Sequence, residues 1–189
     1  SHRMILLLTQ KNAEVEDPKK DDVFEIGTVA LIMRMLKLPD GRIRILAHGL
    51  VRAKVESLHE DKPFFTAKAQ VLHDPDEPDK SIEIEALVRN VRTGLDKASA
   101  LGKNIPPEVM IIAANVEEPG RLADLTAANL ELKVQEAQEI LEIVAPLPRL
   151  KKVYELLTKE LELLDVQSKI STEAKGEMDK LQRQYFLRQ

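Results

Sequence analysis

The amino-acid sequence predicts an α+β protein, in which a small antiparallel β-sheet is followed by an α-helical bundle with a long carboxy-terminal helix. Apolar and polar residues alternate in several short stretches before residue 73, as in half-buried strands. Asp74–Asp79 then places two prolines among four acids, which indicates a solvated linker. Beyond the linker, apolar residues recur at the three- and four-residue spacing of helices. We therefore expect a β-rich subdomain at residues 1–78 and a helical subdomain at residues 79–189.

The β-rich subdomain is predicted to contain a hairpin. Met4–Thr9 is a short apolar run suited to a buried strand, and Ile26–Leu38 is long and contains several β-branched residues. Leu38–Gly41 follows with the sequence Leu-Pro-Asp-Gly, in which proline presets one φ angle and glycine accepts a positive one. Alternation then resumes at Arg42–Ala47, which predicts the returning strand.

After the hairpin, the chain is predicted to bend into two further strands. His48–Gly49 interrupts the alternation and indicates a bulge or tight corner before a strand at Val51–Leu58. Phe64–Leu72 alternates again. Sequential antiparallel strands with corners of this kind predict a small curled sheet or pseudo-barrel.

Four large apolar residues in these strands have two interpretations. Met33, Met35, Phe64 and Phe65 are of types that are most often buried in a core. Alternatively, they form an adaptable apolar surface for unfolded chains, because methionine packs against varied shapes. Burial tendencies favour the core.

Four helices are predicted before the long one. Asp79 or Ser81 caps the first, which ends near Gly102, and Pro107 lies in the first turn of the second. The third and fourth are expected at Arg121–Leu130 and Leu132–Val144. The predicted inward residues are Ile84, Leu87, Val91, Leu95 and Ala98 in the first helix, Leu122, Leu125 and Ala128 or Asn129 in the third, and Val134, Ala137, Leu141 and Val144 in the fourth.

The long helix is predicted from about Pro148 to Gln189. At 1.5 Å per residue it extends for about 60 Å, so a domain of this size cannot bury all of it. Its first half carries an apolar stripe that consists of Leu150, Val153, Leu157, Leu161 and Leu164. Its second half is polar, contains Gly176 and resumes a stripe at Met178, Leu181 and Tyr185. We expect a bundle helix that continues into solvent or toward a partner.

Composition disfavours several classes of function. The formal net charge of -4 argues against nucleic acid as the main partner, because phosphate binding needs a basic surface. Cysteine is absent, which excludes disulfides and thiolate metal sites and is compatible with a reducing compartment such as the cytoplasm. The longest apolar runs are too short to cross a bilayer, so no membrane partner is expected.

No catalytic, cofactor-binding or metal site is predicted. Gly102-Lys103 lacks the upstream glycine of a phosphate-binding loop, and the four histidines lack the pairing of a zinc motif. Ser168 and Lys169 are adjacent in a predicted helix and point about 100° apart, so they cannot share a proton as a hydrolytic dyad. Carboxylates are abundant, but they lie mainly in the linker or on exposed helix faces.

Three stretches of the sequence form a long and specific signature. The first comprises Gln10-Lys11, Gly27–Ala30 and Leu36–Gly41, followed by Gly49 and Arg52. The second comprises Arg121–Asp124 and Ala127–Leu130. The third comprises Leu161–Leu164, Gln167, Lys169-Ile170 and Gln182–Gln189. In order and spacing, over essentially the whole chain, they resemble the amino-terminal domain of the Lon family of ATP-dependent AAA+ proteases.

The resemblance implies a PUA-like β pseudo-barrel joined to a helical subdomain. It also implies a non-catalytic domain that recognises and holds unfolded or damaged proteins and supports assembly of a homo-hexamer. The alternative is a mainly structural module with little affinity for substrates. In a full-length Lon protease, ATP, Mg²⁺ and the serine-lysine protease act elsewhere, so we expect no enzyme activity and no cofactor in this fragment.

Candidate contact residues follow from these expectations. Leu38, Pro39, Phe64 and Phe65 are candidates for contact with substrate, and Met178, Leu181 and Tyr185 are candidates for assembly. The family has an earlier strand and helix ahead of the segment that matches Met4–Thr9, and we expect both to be missing here. Because the sheet would then expose an unpaired edge, we hypothesise self-association through that edge or through the long helix.

Overall fold

The computed structural model describes residues 3–61, 64–74 and 81–186, which form two compact units. The first, here the sheet unit, comprises Ser1–Asp76 and Val134–Val144. The second, here the helical unit, comprises Glu77–Lys133 and Ala145–Gln189. The predicted linker falls at the junction, but except for Asp74 it lies outside the described residues.

In the part of the sheet unit that the structure describes, four antiparallel strands lie side by side in the order of the chain. They are β1 (Met4–Leu7), β2 (Ile26–Lys37), β3 (Ile43–Asp61) and β4 (Phe64–Leu72). Gly41, in the predicted turn between β2 and β3, has a φ of 84°. The sequence predicted two strands where the structure has the single strand β3. Ala30 pairs with Gly49 and Val29 with Val51, so Leu50 is the extra residue of a bulge that bends the strand without ending it.

The core of the sheet unit is small. The buried apolar residues of its strands are Ala30, Ala53 and Val55, and all three side chains are short. Gly27 approaches β1 so closely that a Cβ atom there would overlap the backbone oxygen of Leu7. Short residues therefore allow close packing at the base of the sheet, but they fill little volume.

The described residues form five α-helices, which are α1 (Ile82–Ala100), α2 (Pro107–Asn115), α3 (Pro119–Ala128), α4 (Val134–Glu142) and α5 (Pro146–Phe186). Of the two predicted caps of α1, Ser81 fills the position, and its Oγ accepts a hydrogen bond from the Ile84 N–H at 3.3 Å. Gly102, with a φ of 94°, follows the end of α1 as predicted.

Helices α1, α3 and α5 build the core of the helical unit. Its largest fully buried apolar side chains are Val91, Leu95, Leu122, Leu150, Val153 and Leu157. Gly94 lets α1 approach α5, since a Cβ atom at this position would lie only 2.6 Å from Leu157 Cδ2. The predicted stripe on the first half of α5 is thus confirmed for three of its five leucine and valine positions, while Leu161 and Leu164 are half-buried.

The helical unit also buries charge that apolar periodicity did not predict. Arg149 is fully buried, and its Nη1 donates to both carboxylate oxygens of Asp124, at 3.1 and 2.9 Å. Lys103 is nearly buried, and its Nζ lies 2.5 Å from Glu160 Oε1. Pairing of this kind is what permits a cation to leave water.

Helix α4 was predicted in the helical subdomain, but it belongs to the sheet unit. Gln138 Nε2 donates to the backbone oxygen of Ile26 at 2.9 Å, and Arg52 Nε donates to the backbone oxygen of Leu141 at 3.0 Å. The predicted inward face was also wrong, since Gln138 and Ile140 are buried and Val134 is exposed. Hydrogen bonds to the sheet, which hydrophobic spacing ignores, select this face.

Helix α5 begins at Pro146, two residues before the predicted start, and continues through Gly176 to Phe186. Its 41 residues correspond to about 60 Å. Every side chain from Val166 to Tyr185 is exposed. Within the helical unit, the second half of α5 therefore projects without packing, as the sequence predicted.

Candidate functional site

Large apolar residues that burial tendencies placed in the core lie on the surface of the sheet unit. Met33, Met35, Phe64 and Phe65 are 56, 58, 66 and 48% exposed. The two methionines lie beyond Leu31, the last residue of β2 that pairs with β1, and the two phenylalanines begin an edge strand. No neighbouring layer of described residues covers these positions, so the alternative interpretation, an apolar surface, describes them correctly.

A first exposed apolar surface is the end of the β2–β3 hairpin, residues 33–46, which we call the arm. Among described residues, its two strands pair only with each other, because β4 pairs with β3 only from Arg52 onward. Its exposed large apolar residues are Met33, Met35, Leu36, Ile43, Ile45 and Leu46. Two candidate substrate contacts lie at its tip, where Pro39 is exposed and Leu38 is half-buried.

Both faces of the arm combine apolar and cationic side chains. Leu36 is paired with Arg44, and Arg34 with Leu46, so these four share one face. Met35 is paired with Ile45, and Lys37 with Ile43, on the other face. A two-stranded ribbon is marginally stable in water by itself, and this one also leaves both apolar faces exposed.

A second apolar surface is an open trough of about 660 Å³ between β1 and the start of β4. It is lined by Met4, Ile5, Leu6, Leu8, Pro18, Val23, Leu58, Phe64, Phe65, Thr66 and Ala67, all of them uncharged. The candidate contacts Phe64 and Phe65 therefore lie here. Because the arm and this trough occupy opposite ends of β3, the structure does not bring the two predicted pairs of contacts together.

The exposed half of α5 carries a third apolar surface. The candidates Met178, Leu181 and Tyr185 are exposed, and so are Leu163, Val166 and Ile170. These six residues, with Ala174 between them, follow intervals of three and four and share one helix face. The sequence-based prediction described this half of the helix as polar as far as Met178, but the three- and four-residue spacing from Leu163 onward already indicates that the stripe is continuous.

Four side chains in exposed ion pairs have pKa values shifted from their ordinary values. A hydrogen bond from Arg42 lowers the pKa of Asp40, and one to Glu56 raises the pKa of Lys68. Hydrogen bonds from Lys159 and Lys169 lower the pKa values of Glu155 and Asp165, respectively. In the described part of the chain, no group of three or more histidine and carboxylate side chains has metal-binding geometry.

Among the described helices, none is long and apolar enough to cross a membrane. The Gly102-Lys103 pair lies at the end of α1, where Lys103 is engaged with Glu160. Lys169 pairs with Asp165 at 2.8 Å on an exposed face of α5. The arm, the trough and the stripe on α5 are surfaces suited to binding other molecules through apolar contacts.

A small antiparallel sheet, a helical bundle and a long last helix define an α+β class of domain. The amino-terminal domain of Mycobacterium avium complex Lon protease has this fold, with a TM-score of 0.60 and 18% identity over 75% of this chain and 74% of that one. The family model described as the ATP-dependent protease La (LON) substrate-binding domain matches residues 1–159. The chain belongs to this family.

Similar Lon proteases support the assignment over nearly the whole chain. Lon protease of Geobacter metallireducens is 49% identical over 187 residues, and Lon protease of Trichlorobacter lovleyi is 51% identical over the same length. Each match covers 99% of this chain and 23% of the relative. The chain therefore spans about a quarter of the length of these relatives. The family model and the similar fold confirm both the resemblance and the predicted fold class.

Proposed function

We propose that this domain holds exposed apolar segments of unfolded or damaged proteins on behalf of an ATP-dependent protease. The observation that carries the proposal is the arm, where six large aliphatic side chains are exposed on a two-stranded ribbon. A soluble domain rarely leaves so many apolar side chains together in water unless they meet a partner. The family name, a substrate-binding domain, supports the same conclusion.

The chemistry of the arm suits partners of varied sequence. Its apolar residues are flexible methionines and aliphatic side chains spread over two open faces, so they impose no single complementary shape. In this proposal the domain itself binds no nucleotide, and ATP and Mg²⁺ act elsewhere in a full-length Lon protease in the cytoplasm.

Binding of an unfolded protein to the 189-residue chain tests this function. The probe is a fluorescent protein substrate kept unfolded by reduction and alkylation of its cysteines, with its folded form for comparison. The double variant Met35→Glu/Ile45→Glu places charge at a cross-strand pair on one face of the arm. Fluorescence anisotropy should show affinity for the unfolded probe falling by about tenfold or more, since each lost apolar contact of this size is worth about 1.5 kcal/mol.

A matched variant separates the arm from general surface hydrophobicity. Ile82 and Ile111 are exposed in the helical unit, so Ile82→Glu/Ile111→Glu makes the same chemical change elsewhere. It should leave binding unchanged. Equal binding to the folded form, or equal losses in both double variants, would remove the arm from the proposal. The variant Phe64→Glu/Phe65→Glu shows whether the trough contributes as a second contact.

A second candidate function is assembly, which the apolar stripe on the exposed half of α5 favours. In this proposal α5 supports a homo-hexamer through Met178, Leu181 and Tyr185. Leu181→Glu/Tyr185→Glu should lower the average mass measured by light scattering at high protein concentration and leave probe binding intact. A wild-type chain that stays monomeric at every concentration would contradict self-association through either α5 or the open strand edge.

A further inference from the structure

The arm carries an excess of positive charge in a chain that is acidic overall. Residues 33–46 contain four cations, Arg34, Lys37, Arg42 and Arg44, and one anion, Asp40, whereas the whole chain has a net charge of -4. Arg42 Nη2 lies 2.6 Å from Asp40 Oδ2, so that pair is neutral as a unit. Within the described parts of the chain, Arg34, Lys37 and Arg44 have no ion-pair partner.

The three unpaired cations are interleaved with the apolar side chains. On one face, Arg34 lies across from Leu46 and Arg44 lies across from Leu36, so cations and leucines alternate along both strands. On the other face, Lys37 follows Met35 and lies across from Ile43. A partner that covers the apolar residues must therefore also place some of its own groups against the cations.

Solubility alone does not explain the sign of these charges. Native proteins protect exposed strands with charged residues, lysine above all, but two of the three unpaired cations here are arginine, and acids improve solubility more than bases do. Acids also outnumber bases in this chain, 32 to 28, yet the only acid of the arm, Asp40, forms an ion pair with Arg42. The single sign of the remaining charge is thus a property that a partner can recognise.

We propose that the arm selects apolar segments that carry aspartate or glutamate beside their apolar residues, and disfavours segments flanked by lysine or arginine. The carboxylates would pair with Arg34, Arg44 and Lys37 while the apolar side chains cover Leu36, Leu46 and the opposite face. Guanidinium groups bind carboxylates with two parallel hydrogen bonds, which suits this role. The inference rests on the proposed function and adds the class of substrate to it.

Nucleic acid is the competing polyanion, and the arm fits it less well. No aromatic residue lies within residues 33–46 to stack on bases, and six of the side chains are large and aliphatic. Three cations also contribute little to phosphate binding against the net negative charge of the chain. An acidic apolar polypeptide satisfies both the charge and the apolar area.

Three labelled peptides with one common apolar core, flanked by aspartate, serine or lysine, test the selection. Anisotropy with the full 189-residue chain should give the order aspartate, serine, lysine, with the aspartate peptide binding roughly threefold to thirtyfold tighter than the lysine peptide. At about 1 M NaCl, where screening acts within about 3 Å, the three affinities should converge. An oligonucleotide that binds more tightly than the aspartate peptide overturns the proposal.

Charge reversal assigns the effect to the arm. Arg34→Glu/Arg44→Glu should invert the order of the peptides, whereas Arg89→Glu/Lys169→Glu, which makes the same change in net charge in the helical unit, should preserve it. Both substituted pairs are exposed, and far-UV circular dichroism checks folding. Equal binding of all three peptides contradicts charge selection and leaves the proposed function standing. Failure of all three to bind better than a polar peptide of the same length overturns both.

Discussion

The core of the helical unit and the arm of the sheet unit contain the same residue types in opposite environments. Leu150, Val153 and Leu157 are fully buried, whereas Leu46, Ile43 and Met35 are exposed. The first region lies where α1, α3 and α5 pack against one another, and in the second a two-stranded ribbon has no described layer over it. Whether a side chain is buried thus depends on how many secondary-structure elements pack around its position. Its residue type determines whether exposure leaves an apolar surface or a charged one.

Charge follows the same division. Arg149 is fully buried in the helical unit and binds both oxygens of Asp124, whereas Arg34 and Arg44 are exposed in the arm and have no partner among the described residues. A buried cation needs its partner for the protein to fold. An exposed one is stable in water and remains available for another molecule. The helical unit therefore satisfies its buried cation internally, and the arm leaves Arg34 and Arg44 available to another molecule.

The largest expected difference between the two regions comes from truncating one leucine in each. Leu157→Ala should destabilise the helical unit by about 2 to 5 kcal/mol, through lost burial and the cavity left between α1 and α5. Leu46→Ala should change stability by no more than about 0.5 kcal/mol, because the side chain is already in water. Urea denaturation followed by circular dichroism measures both. A large loss in Leu46→Ala would show that the arm is packed in solution.

Alanine substitution of two helical glycines gives a smaller effect with opposite signs. In Gly94→Ala the new Cβ lies 2.6 Å from Leu157 Cδ2, and this overpacking should cost about 1 to 3 kcal/mol. Gly176→Ala adds a methyl group in open space on the exposed half of α5 and should stabilise the helix by up to about 1 kcal/mol. The melting temperatures of the two variants should move in opposite directions. Destabilisation in Gly176→Ala would indicate that another chain approaches this part of α5.

Sequence reasoning succeeded where local chemistry decides the structure. The Leu-Pro-Asp-Gly turn, the cap at Ser81, the glycine after α1 and the stripe that begins at Leu150 each depend on residues close together in the chain. The signature of the Lon family likewise consists of short motifs at defined spacings. Such motifs can be recognised in the sequence without knowing which elements pack together.

The errors concern contacts between distant parts of the chain. Nothing local indicates that Gln138 donates to Ile26, so α4 was assigned to the wrong unit and given the wrong inward face. Met33 and Met35 were assigned to the core from the burial tendency of their residue type, but burial in a strand also depends on where the neighbouring strands β1 and β4 end. For the candidate site, Phe64, Phe65 and the tip of the arm stay predicted contacts, whereas the exposed apolar residues of β3 behind that tip were not predicted as part of a surface.

The smallest effect concerns the single ion pair of the arm. Arg42 holds the pKa of Asp40 below its ordinary value of 3.8, so the carboxylate stabilises the folded form above that pH and this contribution is lost as pH falls through the lowered pKa. The pair is exposed, so the change in stability should be small. NMR titration of the Asp40 carboxyl carbon should show a midpoint below 3.8 that returns toward the ordinary value in Arg42→Gln. A midpoint that does not move would mean that Arg42 is free, and the arm would then offer four cations to a partner rather than three.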